Sequence, residues 1–540
     1  MKSRAILKII AIIGAIALFI GFSGLKLPGS KTAILQSVQS AGAAGNHYVY
    51  IPEIINGPKG SQGTPTKTPT PTRTTIASVT PSLTPTKTNT PSPTVYQQPT
   101  DTPTPIPVRT DFQFGMQLES FSAQHVNMAA AANANWVGGI SIPWKDVEPT
   151  KGTRNWSVLA YQEAALQDAH AHGLTPFVVI RFTPAWAQKY SGYSCGPMTS
   201  SHFADFANFV HDVVARYSAA PYYVKYWEIW NEEDIDHRLP GIASDSAYGC
   251  WGEPASVDAY GGGTFYADML KVVYPVMKTT DPNSKVLIGG LVLDCDPRAN
   301  KGCAQTGRDP VPPLFLEGIL HNGGGPYFDG VSVHAYDSYD WGTGFNNLNW
   351  QSTSATTGPV LIEKAKYIKA LLSSYNVTGK FMVNTETGMV GWSCDQATPA
   401  QMTVLERTKS YMIAETLASA ISQGLTGNLW YSMEGSWNCT GLINPNNTTL
   451  PAYTAYQFSS GELRNSYWVR DLTSYSGVKG FEFNRTDKRI WVLWSLDGNS
   501  HSVDLGATPL AIYHVNGAKI TPPTRNITVT LEPVYIEWNP

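Results

Sequence analysis

The chain has 540 residues, with 38 Lys+Arg set against 41 Asp+Glu. That length exceeds one ordinary core and implies about two or three domains, while the near-balanced charge and the lack of a long basic run exclude a surface built to hold a phosphate backbone, and so a nucleic-acid partner. Charged residues make up 15% and aromatic residues 11%, with 16 Trp and 27 Tyr, a balance common in extracellular proteins that stack rings on sugars, although core filling accounts for most such rings.

At the N-terminus, Lys2, Arg4 and Lys8 precede an uncharged, mostly apolar run from Ile9 to Phe22. This layout reads residues 1–30 as a signal peptide or N-terminal anchor. The run is shorter than the roughly 18 residues of a membrane-spanning helix, and Ala41-Gly42-Ala43, which has the small residues of a cleavage site, lies well downstream. Cleaved secretion and an uncleaved tether to the membrane or cell envelope both stay open. Either one places the rest of the chain outside the cell or on the extracellular face of the membrane. No Cys precedes Cys195, which argues against a lipid anchor.

Residues 31–107 turn into a low-complexity stalk, dominated by Thr, Pro and Ser from about Gly57, with near-repeats such as Thr64-Pro65-Thr66-Lys67-Thr68-Pro69. Such a segment has too few apolar residues to build a core and is expected to be extended.

Over residues 108–460, short β-branched or aromatic runs alternate with helical segments, the pattern of a parallel α/β fold. The runs are Phe112–Leu118, Trp136–Ile142, Thr175–Ile180, Val224–Trp230, Lys285–Gly289, Gly330–His334, Phe381–Thr385 and Gly427–Ser432. The helix candidates are Ser157–His172, His202–Tyr217, Thr264–Thr279, Leu361–Ser374 and Thr403–Gln423. Eight such units predict a (β/α)8 TIM barrel, with functional groups at the C-terminal strand ends. An open doubly wound sheet is the alternative, but no Gly-x-Gly-x-x-Gly follows the first run.

In residues 461–540 the helical pattern gives way to strand-like runs at Val478–Asn484, Arg489–Ser495, His501–Leu505, Ala511–His514 and Ile527–Trp538, with Asp497-Gly498-Asn499 as a hairpin turn. A small all-β sandwich is expected, either binding sugar or purely structural.

All six cysteines lie between Cys195 and Cys439. In an exported chain an even number reads as disulfides, against the competing reading of a metal site, for which no Cys-x-x-Cys or zinc-like Cys/His spacing is present. Neighbouring loops suggest Cys295 with Cys303, Cys394 with Cys439, and Cys195 with Cys250, one of 15 pairings open to six cysteines. Neither a metal nor another cofactor is expected.

Two strand ends carry the chemistry. The fourth run continues Tyr226-Trp227-Glu228-Ile229-Trp230-Asn231-Glu232-Glu233, and the seventh ends Asn384-Thr385-Glu386-Thr387-Gly388. Strand alternation places Glu228, Trp230 and Glu232 on one face, with Glu228 deeper in the barrel and in need of a partner. Either glutamate alone could be a solvated loop charge. Together they match the two carboxyl groups that glycosidic cleavage requires, one protonated to donate to the leaving oxygen and one ionised to attack the anomeric carbon.

In these motifs the chain resembles glycoside hydrolase clan A, and Trp-Glu-Ile-Trp-Asn-Glu is similar to its β-xylosidase and α-L-iduronidase family, family 39. The resemblance implies a retaining O-glycosyl hydrolase acting on β-linked oligo- or polysaccharide, with Glu232 as acid/base and Glu386 as nucleophile. It also implies that Asn231 meets the sugar 2-hydroxyl, that His334 and Tyr336 line the site with the tyrosine on the nucleophile, that Trp430 forms the floor, and that Trp144 belongs to the second-strand segment. His334 could equally be a core histidine. Several families of the clan carry an Arg in the second strand, where Ile140-Ser141-Ile142-Pro143 offers no cation. Arg181 is the candidate replacement, and its alternative reading is a salt bridge to Glu228. Trp186, Trp341, Trp392 and Trp437 fall in strand-end loops, where each either stacks on a pyranose or packs the loop. A non-catalytic carbohydrate-binding barrel displayed at the cell surface, and a transglycosylase using the same residues, are the rival readings.

Overall fold

The computed structural model describes residues 112–238, 242–298, 303, 314–342, 344–435 and 437–540. The expected signal segment, the stalk and the start of the 108–460 segment up to 111 lie outside the described residues. Among those described, no helix is long and apolar enough to cross a membrane.

Eight parallel strands close into a barrel: β1 (Gln113–Gln117), β2 (Trp136–Pro143), β3 (Thr175–Arg181), β4 (Tyr226–Ile229), β5 (Lys285–Leu291), β6 (Gly330–Tyr339), β7 (Phe381–Val390) and β8 (Gly427–Trp430). Each pairs in parallel with the next, and β8 returns to β1 through Gln113 opposite Gly427. A helix follows every strand: α1 (Ala123–Ala131), α2 (Ala160–Ala171), α3 (Phe203–Tyr217), α4 (Gly263–Thr280), α5 (Leu314–His321), α6 (Leu361–Ser374), α7 (Pro399–Ser422) and α8 (Pro451–Leu463). The expected (β/α)8 barrel is therefore present. Helices α1, α5 and α8 are absent from the sequence expectations. The first two are only 9 and 8 residues long, and α8 carries Tyr, Ser and Gly in place of a regular apolar stripe. Helix α7 starts four residues earlier than expected, on a capping box in which Thr398 and Gln401 satisfy each other's backbone N–H groups.

Parallel barrel strands are covered on both sides, which is why they read as continuous apolar runs. Inside the barrel, Trp136, Phe177, Leu287, Val383 and Leu429 form an apolar cluster that includes Tyr226 and Phe381 at its edge. All but Leu429 sit in the N-terminal halves of their strands, and together they plug that end. The polar residues Gln117, Glu228 and His334 lie further along, so the chemistry is confined to the C-terminal mouth. Three disulfides tie the loops there, Cys195–Cys250, Cys295–Cys303 and Cys394–Cys439, the pairs that loop adjacency suggests.

Beyond α8 the chain forms β9 (Tyr467–Asp471), β10 (Val478–Arg485), β11 (Lys488–Ser495), β12 (His501–Asp504), β13 (Ala511–Tyr513), β14 (Lys519–Ile520), β15 (Asn526–Val529) and β16 (Val534–Trp538). Six of them make an antiparallel sheet in the order β9-β10-β11-β16-β13-β14, and β12 pairs with β15 as a separate ribbon. Strand alternation splits the side chains: Phe481, Phe483, Ile490, Val492, Trp494 and Tyr535 join the main core shared with the barrel helices, while Val478, Leu493, Ile536 and Trp538 pack with Val503 and Val529 of the ribbon. Asp497-Gly498-Asn499 reverses the chain but does not make the expected hairpin. Its flanking strands β11 and β12 belong to different sheets.

Candidate active site

Strand β4 ends at Ile229, and the chain then leaves strand geometry. Trp230 has φ 79° and Glu232 φ 51°, left-handed values costing non-glycine residues on the order of 1–3 kcal/mol each. This twist overturns the expected alternation. Trp230 turns away to pack on Phe206 and Trp251 and donates its indole N–H to the Cys195 carbonyl, whereas Glu232 turns into the mouth. Its backbone N–H is held by the Gly290 carbonyl at 3.2 Å.

His334 on β6 shares a 2.7 Å hydrogen bond between Nδ1 and Glu232 Oε1 and stands 3.4 Å from Glu386 Oε2. Glu386, on β7, accepts a 2.6 Å hydrogen bond from the Tyr336 hydroxyl at that same oxygen. The facing atoms of Glu232, His334 and Glu386 all lie within 4.8 Å of one another. Among the described residues this is the group that could hold a metal ion, but it is also the arrangement of a carboxyl pair bridged by one imidazole.

Burial raises the Glu232 carboxyl to about 8, against the opposing pull of Lys364 and Arg181. Burial and the neighbouring Glu232 also raise Glu386, and the Tyr336 hydrogen bond and Arg181 counter them. His334 is pushed down to about 4 by burial, so it is a neutral imidazole. Its Nε2 has no partner and lies where a Cβ on Gly290 would sit. The neighbouring Gly289 leaves similar room for the buried Glu233 carboxylate. This glycine pair on β5 is a site feature that sequence reading missed; a Gly-Gly inside a strand is the signal for such a close approach.

Arg181 donates to the Ala247 carbonyl at 3.1 Å, and the Asn231 amide donates to the same oxygen at the same distance. Of the carboxylates around Arg181, Glu386 acts on it most, then Glu232, and Glu228 last among them. No ion pair joins Arg181 to Glu228. The salt-bridge reading fails, and Glu228, 1% exposed, is instead held well above the usual carboxylate range by burial.

The tryptophans divide. Trp437 packs edge-on against Tyr336 at 5.6 Å and against Trp392 at 6.0 Å, and the Cys394–Cys439 bridge ties their two loops together. Trp430 is only 1% exposed and gives its N–H to the Thr440 carbonyl, so it is buried packing and not a floor. The next residue, Tyr431, is the one whose side chain reaches the carboxylates. Its ring meets Tyr336 and Trp437, and the Glu386 carboxylate acts on its phenol. Trp144 is fully buried against Phe206, Phe209 and Trp186 and bonds Glu148, so it has no face for a ligand. Trp186 joins that cluster and spends its N–H on the Glu148 carbonyl. Trp341 packs on Tyr339.

No protein-family model matches the chain, and no curated protein matches it by sequence. Solved structures do match its fold. A family 39 glycoside hydrolase from the gut symbiont Bacteroides cellulosilyticus WH2 is similar at TM-score 0.56 and 17% identity, over 78% of this chain and 80% of that one. A GH30 endoxylanase from Clostridium papyrosolvens C71 is similar at TM-score 0.52 and 12% identity, over 80% and 97%. A conserved exported protein from Bacteroides fragilis gives TM-score 0.52 and 11% identity, over 79% and 97%. At these identities the likeness is one of fold.

Proposed function

We propose that the chain is a retaining glycoside hydrolase that cleaves β-linked oligo- or polysaccharide by double displacement. The observation that carries this reading is the approach of Glu232 and Glu386 around His334 to within 4.8 Å. Such a close approach of facing oxygens favours the retaining arrangement, in which the carboxyl groups are about 5–5.5 Å apart, over the inverting one, in which about 6.5–9.5 Å leaves room for a water.

The environments support these roles. A carboxyl at about 8 is protonated at neutral pH and can donate to the leaving oxygen. Glu386 has a hydroxyl donor on Oε2 and a cation nearby, both of which favour the ionised form that attacks the anomeric carbon. As the carbon–oxygen bond of the substrate breaks, the Glu232 proton goes to the departing alcohol and Glu386 becomes the glycosyl ester. Glu232, now a carboxylate, takes a proton from water, whose oxygen attacks the same carbon and frees Glu386. Asn231, its amide nitrogen fixed by Ala247, keeps its carbonyl oxygen for a sugar hydroxyl. Tyr431, Trp437 and Trp392 provide ring faces beside the carboxylates. The three disulfides and the even cysteine count support a secreted or extracellular location.

The test is a screen of the full chain against chromogenic glycosides and a panel of polysaccharides, with the anomeric configuration of the first product followed by NMR. Retention supports the reading. An inverted product, or binding without turnover across the panel, overturns it.

A further inference from the structure

Helix α6 buries Leu361, Ala365 and Ile368, the stripe that faces the barrel. Lys364 lies on that stripe and is only 3% exposed. An apolar residue would cost less there, because a buried ammonium must replace every lost water contact. Its Nζ donates to the Val292 carbonyl at 2.6 Å and to the His334 carbonyl at 2.7 Å. It makes no ion pair, although Asp234, Asp337, Asp294 and Glu232 all act on it. Asp234 is engaged elsewhere, accepting from the backbone N–H groups of Val292 and Leu293 at 3.0 and 2.8 Å. Asp337 accepts from the Val360 N–H that opens α6.

These bonds form a closed circuit. Glu232 is bonded to the His334 ring, the His334 carbonyl to Lys364, Lys364 to the Val292 carbonyl, and the Val292 N–H to Asp234, two residues from Glu232. We propose that Lys364 is a positioning residue for the acid/base, tying the residue after β5 to the middle of β6 so that the His334 imidazole holds Glu232 in place. The inference rests on the hydrolase reading above. Lys364 touches no substrate position; it acts through His334. Its charge has a second effect, since a cation near Glu232 favours the carboxylate and keeps its titration from rising further.

The test uses the full chain carrying Lys364→Met or Lys364→Gln, each checked for folding by near-UV circular dichroism. Substrates are glycosides identified by the screen, with good and poor leaving groups, followed across pH. A displaced acid matters most where the leaving group needs its proton. The expected result is a loss of about ten- to a hundredfold with poor leaving groups, a much smaller loss with activated ones, and a basic limb moved to higher pH. An equal loss for both substrate classes with an unmoved limb makes Lys364 merely structural and overturns the proposal. If neither neutral variant folds, Lys364→Arg decides: a wild-type basic limb with losses confined to poor leaving groups supports positioning, and a uniform loss overturns it. A wild-type chain that cleaves no glycoside defeats the hydrolase reading itself, before any variant is compared.

Discussion

The His334 imidazole is hydrogen-bonded to Glu232 at 2.7 Å while lying 3.4 Å from Glu386, so one neutral ring spans both carboxyl groups. A charged imidazole would favour ionisation of both glutamates, but burial holds His334 down to about 4. The two carboxyls can therefore carry different protonation states across the neutral range. Activity needs Glu232 protonated, which holds below about 8 and is lost as pH rises through that value. It also needs Glu386 ionised, and because Glu386 is raised above its ordinary value of 4.5, the acidic limb should lie above 4.5. We expect a bell-shaped kcat/KM profile with its basic limb near 8. In Glu232→Gln the basic limb should vanish. A limb at the same pH in that variant would assign it to another group.

The aromatic wall should govern binding more than chemistry. Trp437 touches Tyr336, Tyr431 and Trp392, and its loop is pinned by Cys394–Cys439. Losing one stacked ring costs about 0.5–1.5 kcal/mol, so Trp437→Ala should raise KM roughly two- to tenfold with kcat little changed. Opening the bridge with Cys394→Ser/Cys439→Ser should act in the same direction. Steady-state kinetics on one substrate checks both, and a fall in kcat at constant KM would count against a binding role.

The barrel was legible because eight apolar runs recur with helices between them, and the carboxyl pair because Glu232 and Glu386 each end such a run. What the sequence hid is local geometry. The positive φ values at Trp230 and Glu232 undo strand alternation, and Tyr431 rather than Trp430 brings its ring to Tyr336. Neither departs from its neighbours in residue type. Lys364 reads as an ordinary helix-face charge, and only the fold shows that its side faces the barrel. Trp144 sits at the end of the second strand as its motif implies, yet as a substrate-binding residue it is closed off by the aromatic side chains of α3.

Trp136 offers a stability test separate from the site. It lies at the plugged end of the barrel, 2% exposed, with Phe177 and Tyr226 at 5.9 and 4.5 Å. Trp136→Ala should cost about 3–5 kcal/mol through lost burial and an unfilled cavity, read as a lower urea midpoint. The surviving folded protein should keep its kcat, because the mouth is at the other end of the strands. A large kcat loss in fully folded protein would show that the plug shapes the site.

The roles of the two glutamates separate kinetically. Glu232 serves both steps, donating a proton in the first and accepting one in the second, whereas Glu386 forms the covalent bond. Glu232→Ala should therefore still form the glycosyl-enzyme from substrates whose leaving groups need little protonation, and should lose about 10²–10⁴ in rate with poor ones. Azide, which needs no general base, should speed release of that intermediate and yield a glycosyl azide of the substrate's own configuration. Glu386→Ala has no nucleophile, so nearly all turnover should disappear, and azide entering the vacated space should attack directly and give the inverted azide. NMR of the two azide products reads the assignment without reference to absolute rates. The same configuration from both variants, or near wild-type turnover by Glu386→Ala on activated substrate, would refute it.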